Sequence, residues 1–336
     1  MTPPDALPVT TSAAHGAGPR SAAVWLKRLG PLLGLLLVFG LFSALRPQTF
    51  PTPNNVELML LQTAVVITAS LGMTMVIVTG GIDLSVGSKV AVCSVLVAVL
   101  LKAGHGPTVA AAGGVACGVV LGLLTGGLIT GLRLQPFIVT LGLWSAVRGL
   151  AIGLADKGTV STKGENWLQY LLLSRSPLTE YTVVAPGLLV TLALALAVAG
   201  TLRYTRFGRH LFAVGSNEQT ARLCGIHVGR TKVAAYAVAG ALAGCAGVLQ
   251  YAYVTVGDPT TATGLELDVI AAVVIGGASL SGGVGSVAGT VVGALLMTAV
   301  ANGCTKLGLE NWVQMTVTGV IIVAAAAVDR LRQRVR

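Results

Sequence analysis

Ten apolar runs separated by short polar segments constrain this chain more than any other feature. They fall at about 30–45, 58–79, 82–101, 108–132, 137–154, 183–202, 233–253, 267–280, 284–303 and 312–329. Several approach the ~20 residues that a membrane-crossing helix needs. Of the 336 residues, 54% are hydrophobic and only 10% are charged, against roughly 25% charge in a soluble domain. Such a chain cannot clothe itself in an aqueous surface, so the bilayer must be its solvent. An open sheet leaves its backbone unsatisfied in lipid, and the runs lack the alternation of a membrane barrel. The expected fold is all-α, a polytopic membrane helix bundle of about ten transmembrane helices.

The charges that remain predict an orientation. With the N-terminus inside, fifteen Lys and Arg fall in inner segments and six in outer ones, and Arg148 within a span completes the 22. Such a bias places both termini in the cytoplasm. Residues 1–24 are rich in Pro, Ala, Thr and Ser and are expected to form a disordered cytoplasmic tail. Residues 25–330 form the membrane domain, and 331–336 a basic cytoplasmic tail. Arg20, Lys27 and Arg28 before the first run resemble a signal anchor that is retained. Two connections are long: an external loop over 155–182 with Trp167, Tyr170 and Tyr181, and a basic internal loop over 203–232. The net charge of +10 sits in these connections and not in a groove with interleaved aromatics, which make up only 5%. Nucleic acid is therefore not an expected partner, whereas membrane lipid is.

A short phrase is written twice. Gly80-Gly81-Ile82-Asp83-Leu84-Ser85 recurs as Gly276-Gly277-Ala278-Ser279-Leu280-Ser281, and each copy runs on to Val-Gly-Ser. Each interrupts an apolar stretch. Paired Gly-rich breaks in two halves of a membrane protein point to an internal repeat and a transport pathway between its copies. Gly80, Gly81, Asp83, Ser85, Gly276, Gly277 and Ser281 are the candidate hinge or gate residues. A second glycine pattern has a plainer reading: Gly114, Gly118, Gly122 and Gly126, the pair Gly240 and Gly244, and Gly285, Gly289 and Gly293 let helix backbones approach closely.

Few ionisable groups lie near the spans. Asp83 is a hinge or gate residue, or a cap for the next helix. Glu266 and Asp268 open a span, where an acid complements the helix dipole. Arg148 lies twelve residues past Pro136, ~18 Å into a core ~30 Å thick. It is expected to face the bundle interior with an acidic or carbonyl partner. Arg148, Glu266 and Asp268 are the candidate pathway or bundle-locking polar groups. The five cysteines and four histidines show neither a CxxC nor the spacing of a metal pair. Gly283 to Gly289 reads GxGxxxG with no strand before it, and no GxxxxGK[ST] or HExxH occurs. No enzyme, bound cofactor or metal is expected in this chain.

In the internal loop, Ser216 or Asn217 suits an N-cap, Glu218 a first turn and Gly225 a C-terminal stop. A short amphipathic helix with a partner follows.

From Val78 through Gly87, Gln135 through Gly142 with Arg148-Gly149, Gly208 through Ile226, and Glu266 through Gly277, the chain resembles the permease subunits of bacterial ABC sugar importers of the ribose, xylose and galactose type. The resemblance covers roughly residues 25–330. It implies a multi-pass subunit of the bacterial inner membrane that imports a monosaccharide by alternating access. It also implies a second permease copy or paralogue, an ABC ATPase below carrying ATP and Mg, and a periplasmic or extracellular sugar-binding protein above. Gly215, Asn217, Glu218, Ala221, Arg222, Gly225 and Ile226 would be the segment coupled to the ATPase. They depart from the common pattern of that segment: Glu218-Gln219-Thr220 replaces Glu-Ala-Ala, and Gly225 comes one place late. The alternative is an ion-coupled secondary sugar transporter, which the scarcity of acids within the spans disfavours.

Overall fold

A computed structural model describes residues 20–162, 164, 166–172 and 185–334. Each of the ten apolar runs carries a helix over most of its length. In chain order the helices are α1 (Arg20–Leu45), α2 (Pro53–Val78), α3 (Val86–Lys102), α4 (Pro107–Gly131), α5 (Pro136–Leu154) and α6 (Pro186–Tyr204). Two short helices of the internal loop follow, α7 (Arg206–Ser216) and α8 (Glu218–Leu223). Then come α9 (Val228–Val254), α10 (Leu265–Ile275), α11 (Val287–Lys306) and α12 (Asn311–Arg334). Six of them, α2, α4, α5, α6, α9 and α11, are long and apolar enough to cross a membrane.

Local chemistry sets the helix starts. Proline stands at the first turn of α2, α4, α5 and α6, where its fixed φ suits a helix and its missing N–H costs nothing. The expected disordered tail of 1–24 is helical over its last five residues, because α1 begins at Arg20, and its first nineteen lie outside the described residues. Likewise α12 carries the helix through Arg334, into the segment expected to be a tail. Much of the 155–182 loop also lies outside the described residues.

Burial sorts the helices. The apolar window of α2 is 83% buried and that of α5 only 17%, so α2 is central and α5 peripheral. Met73 and Ile77 of α2 share one core with Val90 of α3, Ala246 and Leu249 of α9 and Val273 of α10. A second core sets Phe42 of α1 and the following Phe50 against Met297 and Val300 of α11. Packing of α4 on α9 explains the glycine stripe. A Cβ on Gly118 would run into the carbonyl oxygen of Gly240, and one on Gly240 into that of Gly118. Without a hydrophobic force between helices in lipid, such backbone contact is how a bundle holds together.

The described β structure is one antiparallel ladder, β1 (Val160–Ser161) with β2 (Val256–Gly257), pairing Val160 with Gly257. It ties the segment after α5 to the connection between α9 and α10. Two predicted spans differ from their runs. Helix α3 starts only at Val86, and α10 stops at Ile275. At ~1.5 Å per residue α10 covers about 16 Å, half of the hydrocarbon core. Its apolar run continues to residue 280, but Gly276-Gly277 end the helix.

Candidate functional site

Both copies of the doubled phrase end a helix by the same device. After α2, Gly80 has φ +80° and donates to the Ile77 carbonyl at 2.8 Å, and Gly81 donates to Val76 at 3.1 Å. After α10, Gly277 has φ +94° and donates to Val274 at 2.9 Å, and Ala278 donates to Val273 at 3.1 Å. This is the Schellman termination, which needs a left-handed residue that glycine supplies without strain. The first glycine fills that place in copy one and the second in copy two, so the two phrases are offset by one residue in space.

Beyond the glycines the copies remain alike. Asp83 Oδ1 accepts from the Ser85 hydroxyl at 2.5 Å and from its backbone N–H at 3.0 Å. In copy two the hydroxyls of Ser279 and Ser281 lie 2.9 Å apart. The difference is charge. Lys89, in the first turn of α3, donates to Asp83 Oδ2 at 2.6 Å, with the two side chains 1% and 4% exposed. Asp83 therefore serves the turn just ahead of α3 and an ion pair, while Ser85 takes the N-cap position. The Tyr236 hydroxyl of α9 is buried beside Gly81, without a hydrogen-bond partner among the described residues.

The two copies touch each other and the internal loop. Gly283 N–H donates to the Val78 carbonyl at 2.9 Å, joining the loop after α10 to the end of α2. Gly215, near the C-terminus of α7, packs on the same spot. A Cβ there would overlap the Val78 carbonyl oxygen and crowd Gly283 N. One backbone junction thus unites both Gly-rich loops with the segment for which the family resemblance implies coupling.

The rest of that segment forms α8. Asn217 is its N-cap, accepting from Thr220 N–H at 2.9 Å. Gly225 (φ +82°) donates to Arg222 at 3.0 Å and Ile226 to Ala221 at 3.0 Å, a third Schellman end. Ala221 is buried with Val214 and Val228, and the half-buried Ile226 packs against them. Glu218 Oε1 accepts from Arg222 and Oε2 from Lys232 of α9, each at 2.6 Å. The hydrogen bond from Lys232, then that from Arg222, holds the Glu218 carboxyl below its usual range despite partial desolvation. Leu223 remains 88% exposed at the tip.

The polar groups of the spans divide in two. Arg148 Nη1 donates to the carbonyls of Pro259 and Thr261 at 2.8 and 2.7 Å. Trp144, one turn earlier on α5, donates to Glu266 Oε1 at 3.1 Å. Arg148 and Trp144 so tie α5 to the loop before α10 and to Glu266 of α10 by separate hydrogen bonds. Arg148 and Glu266 each keep a buried atom without a partner, Arg148 Nη2 and Glu266 Oε2. Asp268 joins neither set of hydrogen bonds and lines a cleft with α2 and α11. Sequence reasoning missed Lys89 and Trp144. Lys89 reads as a topology charge until its neighbour is known, although a Lys six residues past an Asp within an apolar run was the available signal. Among the described residues no group of three or more His, Cys, Asp or Glu could hold a metal.

A family model described as branched-chain amino acid transport system / permease component matches residues 55–326. The chain is 37% identical over 312 residues to the ribose import permease protein RbsC of Escherichia coli K12, covering 92% of this chain and 95% of that one. It is 39% identical over 306 residues to RbsC of Bacillus subtilis 168, covering 91% and 93%. It is 34% identical over 322 residues to the L-arabinose ABC transporter permease protein AraH of Azospirillum brasilense, covering 93% and 91%. No solved structure matches the chain. None of these relatives is named for ion-coupled transport, which leaves that alternative without support.

Proposed function

Because the chain belongs to the family of branched-chain-type transport system permease components, we propose that it is the membrane subunit of an ATP-driven importer that carries a monosaccharide, ribose or a related pentose, across the inner membrane. It is a multi-pass membrane protein and not itself an enzyme; ATP is hydrolysed on a separate subunit, with Mg bound there. The observation that carries the mechanism is the junction of Gly215, Val78 and Gly283.

Ten helices cross or enter the membrane, with both termini and the α7–α8 loop in the cytoplasm. The α8 tip, with Leu223 and Arg222 exposed, seats in a groove of the ATPase. Glu218 fixes α8 to α9 through Lys232, so a push on the tip is not absorbed by loose rotation. The push reaches Gly215 and there meets both Gly-rich loops at once. These act as hinges on which α10 and the end of α2 tilt, opening the pathway to alternate sides. The Asp83–Lys89 pair keeps the first loop rigidly joined to α3, so the loop moves with that helix. A sugar-binding protein docks on the opposite face, and a second permease copy or paralogue completes the pathway.

Affinity purification from native membranes in mild detergent tests this reading. An ATPase subunit with a GxxxxGK[ST] sequence and a soluble sugar-binding protein are expected to co-purify. The complex in proteoliposomes should take up D-ribose or L-arabinose only with ATP. Sugar uptake by the chain alone, driven by a proton gradient, would overturn the proposal.

A further inference from the structure

A cleft of about 310 Å³ opens between α2, α10 and α11, in the half of the molecule away from the Gly215 junction. It lies at the lower end of the ~300–1,000 Å³ typical of ligand pockets, a size for one small molecule. Its polar lining is Gln62, Asp268, Thr298, Asn302, Thr305 and Lys306.

Packing does not account for three of these. Thr298 is only 6% exposed, yet its hydroxyl has no hydrogen-bond partner among the described residues. Other helical threonines here return their hydroxyl to the carbonyl one turn back, as Thr63, Thr68 and Thr74 do on α2 and Thr305 on α11. Asp268 forms no hydrogen bond or ion pair among the described residues, and neither does Lys306. The dipole at the start of α10 favours an acid at Asp268, but it does not explain an unpaired carboxylate on a cleft between helices. Ionisable groups in that setting are costly and mark substrate paths.

The chemistry of the lining selects a ligand class. Asp268 accepts, Lys306 donates, and Thr298 can do either. Gln62 gives its amide N–H to the Tyr253 hydroxyl at 2.9 Å, which leaves its carbonyl oxygen as an acceptor. The charges of Asp268 and Lys306 cancel, so a net-charged solute gains nothing. A neutral molecule with several adjacent hydroxyls, each donating and accepting, fits every group. The geometry points to a subsite in this cleft for a neutral polyhydroxylated solute of monosaccharide size, contacted by Asp268, Thr298 and Lys306. It rests on the reading of the chain as a sugar permease, and places a contact with the sugar on the side opposite the ATPase, before the junction moves.

The test is uptake of labelled D-ribose and L-arabinose by the complete transporter in proteoliposomes, at matched amounts of assembled complex. Thr298→Val and Asp268→Asn should each lower initial uptake roughly tenfold, the scale of one lost hydrogen bond to a buried partner. Thr298→Ser, which keeps the hydroxyl, should stay within about twofold of wild type on the same scale. Wild-type uptake by both Thr298→Val and Asp268→Asn would overturn the subsite while leaving the importer reading intact. Should Asp268→Asn fail to assemble, the Thr298→Val and Thr298→Ser pair decides alone: equal uptake by the two overturns it. A wild-type transporter that takes up L-leucine and neither sugar would overturn the sugar reading of the permease, and the polyol subsite with it.

Discussion

Asp83 and Lys89 lie almost wholly out of solvent, 2.6 Å apart, so each is tolerable only with the other. Removing one partner of a buried pair strands a charge at a cost of roughly 3–5 kcal/mol, while replacing both by apolar groups is often neutral. Asp83→Leu and Lys89→Met should each sharply lower the thermal unfolding midpoint of the protein in detergent, and the double variant should recover most of the loss. Wild-type stability in all three would mean the pair contributes nothing to the first Gly-rich loop. Gly215 makes a different demand, for space. A methyl there meets the Val78 carbonyl oxygen and Gly283 N, and overpacking costs about 1–3 kcal/mol when neighbours must shift. Gly215→Ala should therefore cut ATP-driven uptake at least roughly tenfold by prising α7 off the Gly-rich loops. Gly200→Ala, on α6 with nothing within 4 Å, should leave uptake unchanged.

At the scale of elements, α8 depends on Glu218. Its carboxyl titrates below its ordinary value of 4.5 because Lys232 and Arg222 donate to it. A carboxyl held low in the fold stabilises above its unfolded value and loses that contribution as pH falls through the folded one. The attachment of α8 to α9 should hold from neutral pH down to about 5, then loosen below the ordinary carboxylate range. Amide hydrogen exchange across 217–226 reads this directly, and Glu218→Gln should show the loosened pattern already at pH 7. Much of this element was legible in the sequence, because caps and stops are local: Asn217, Glu218 and Gly225 carry their roles within one or two turns of themselves. The length of α10 was not. Hydropathy continues through Gly276-Gly277 to Leu280, and only the hydrogen bonds of Gly277 and Ala278 show that the helix has ended. Arg148 illustrates the middle case. Its depth demanded a partner, but that the partner would be the Pro259 and Thr261 carbonyls depends on a loop more than a hundred residues away.

For the whole molecule, the apolar runs and their charges suffice to propose a bundle and an orientation, because lipid imposes one rule on every span. What they cannot express is the convergence of Val78, Gly215 and Gly283, three backbones far apart in the chain, two of which are marked only by a glycine. That convergence places α8 at the end of the molecule where both Gly-rich loops lie, and the proposed orientation makes this the cytoplasmic end. The chain carries its own reporter of the arrangement. Of the cysteines, Cys93 and Cys304 are buried, Cys117 and Cys245 are intermediate, and Cys224, just past the α8 tip, is exposed. A membrane-impermeant maleimide should label Cys224 in inside-out vesicles and not in right-side-out ones, and Cys224→Ser should abolish the signal. Because α8 is the proposed seat of the ATPase, vesicles holding the assembled complex should label more slowly than vesicles holding the chain alone. Labelling from the outer face would reverse the orientation. Labelling from the inner face at one rate in both preparations would keep the orientation and remove α8 from the contact.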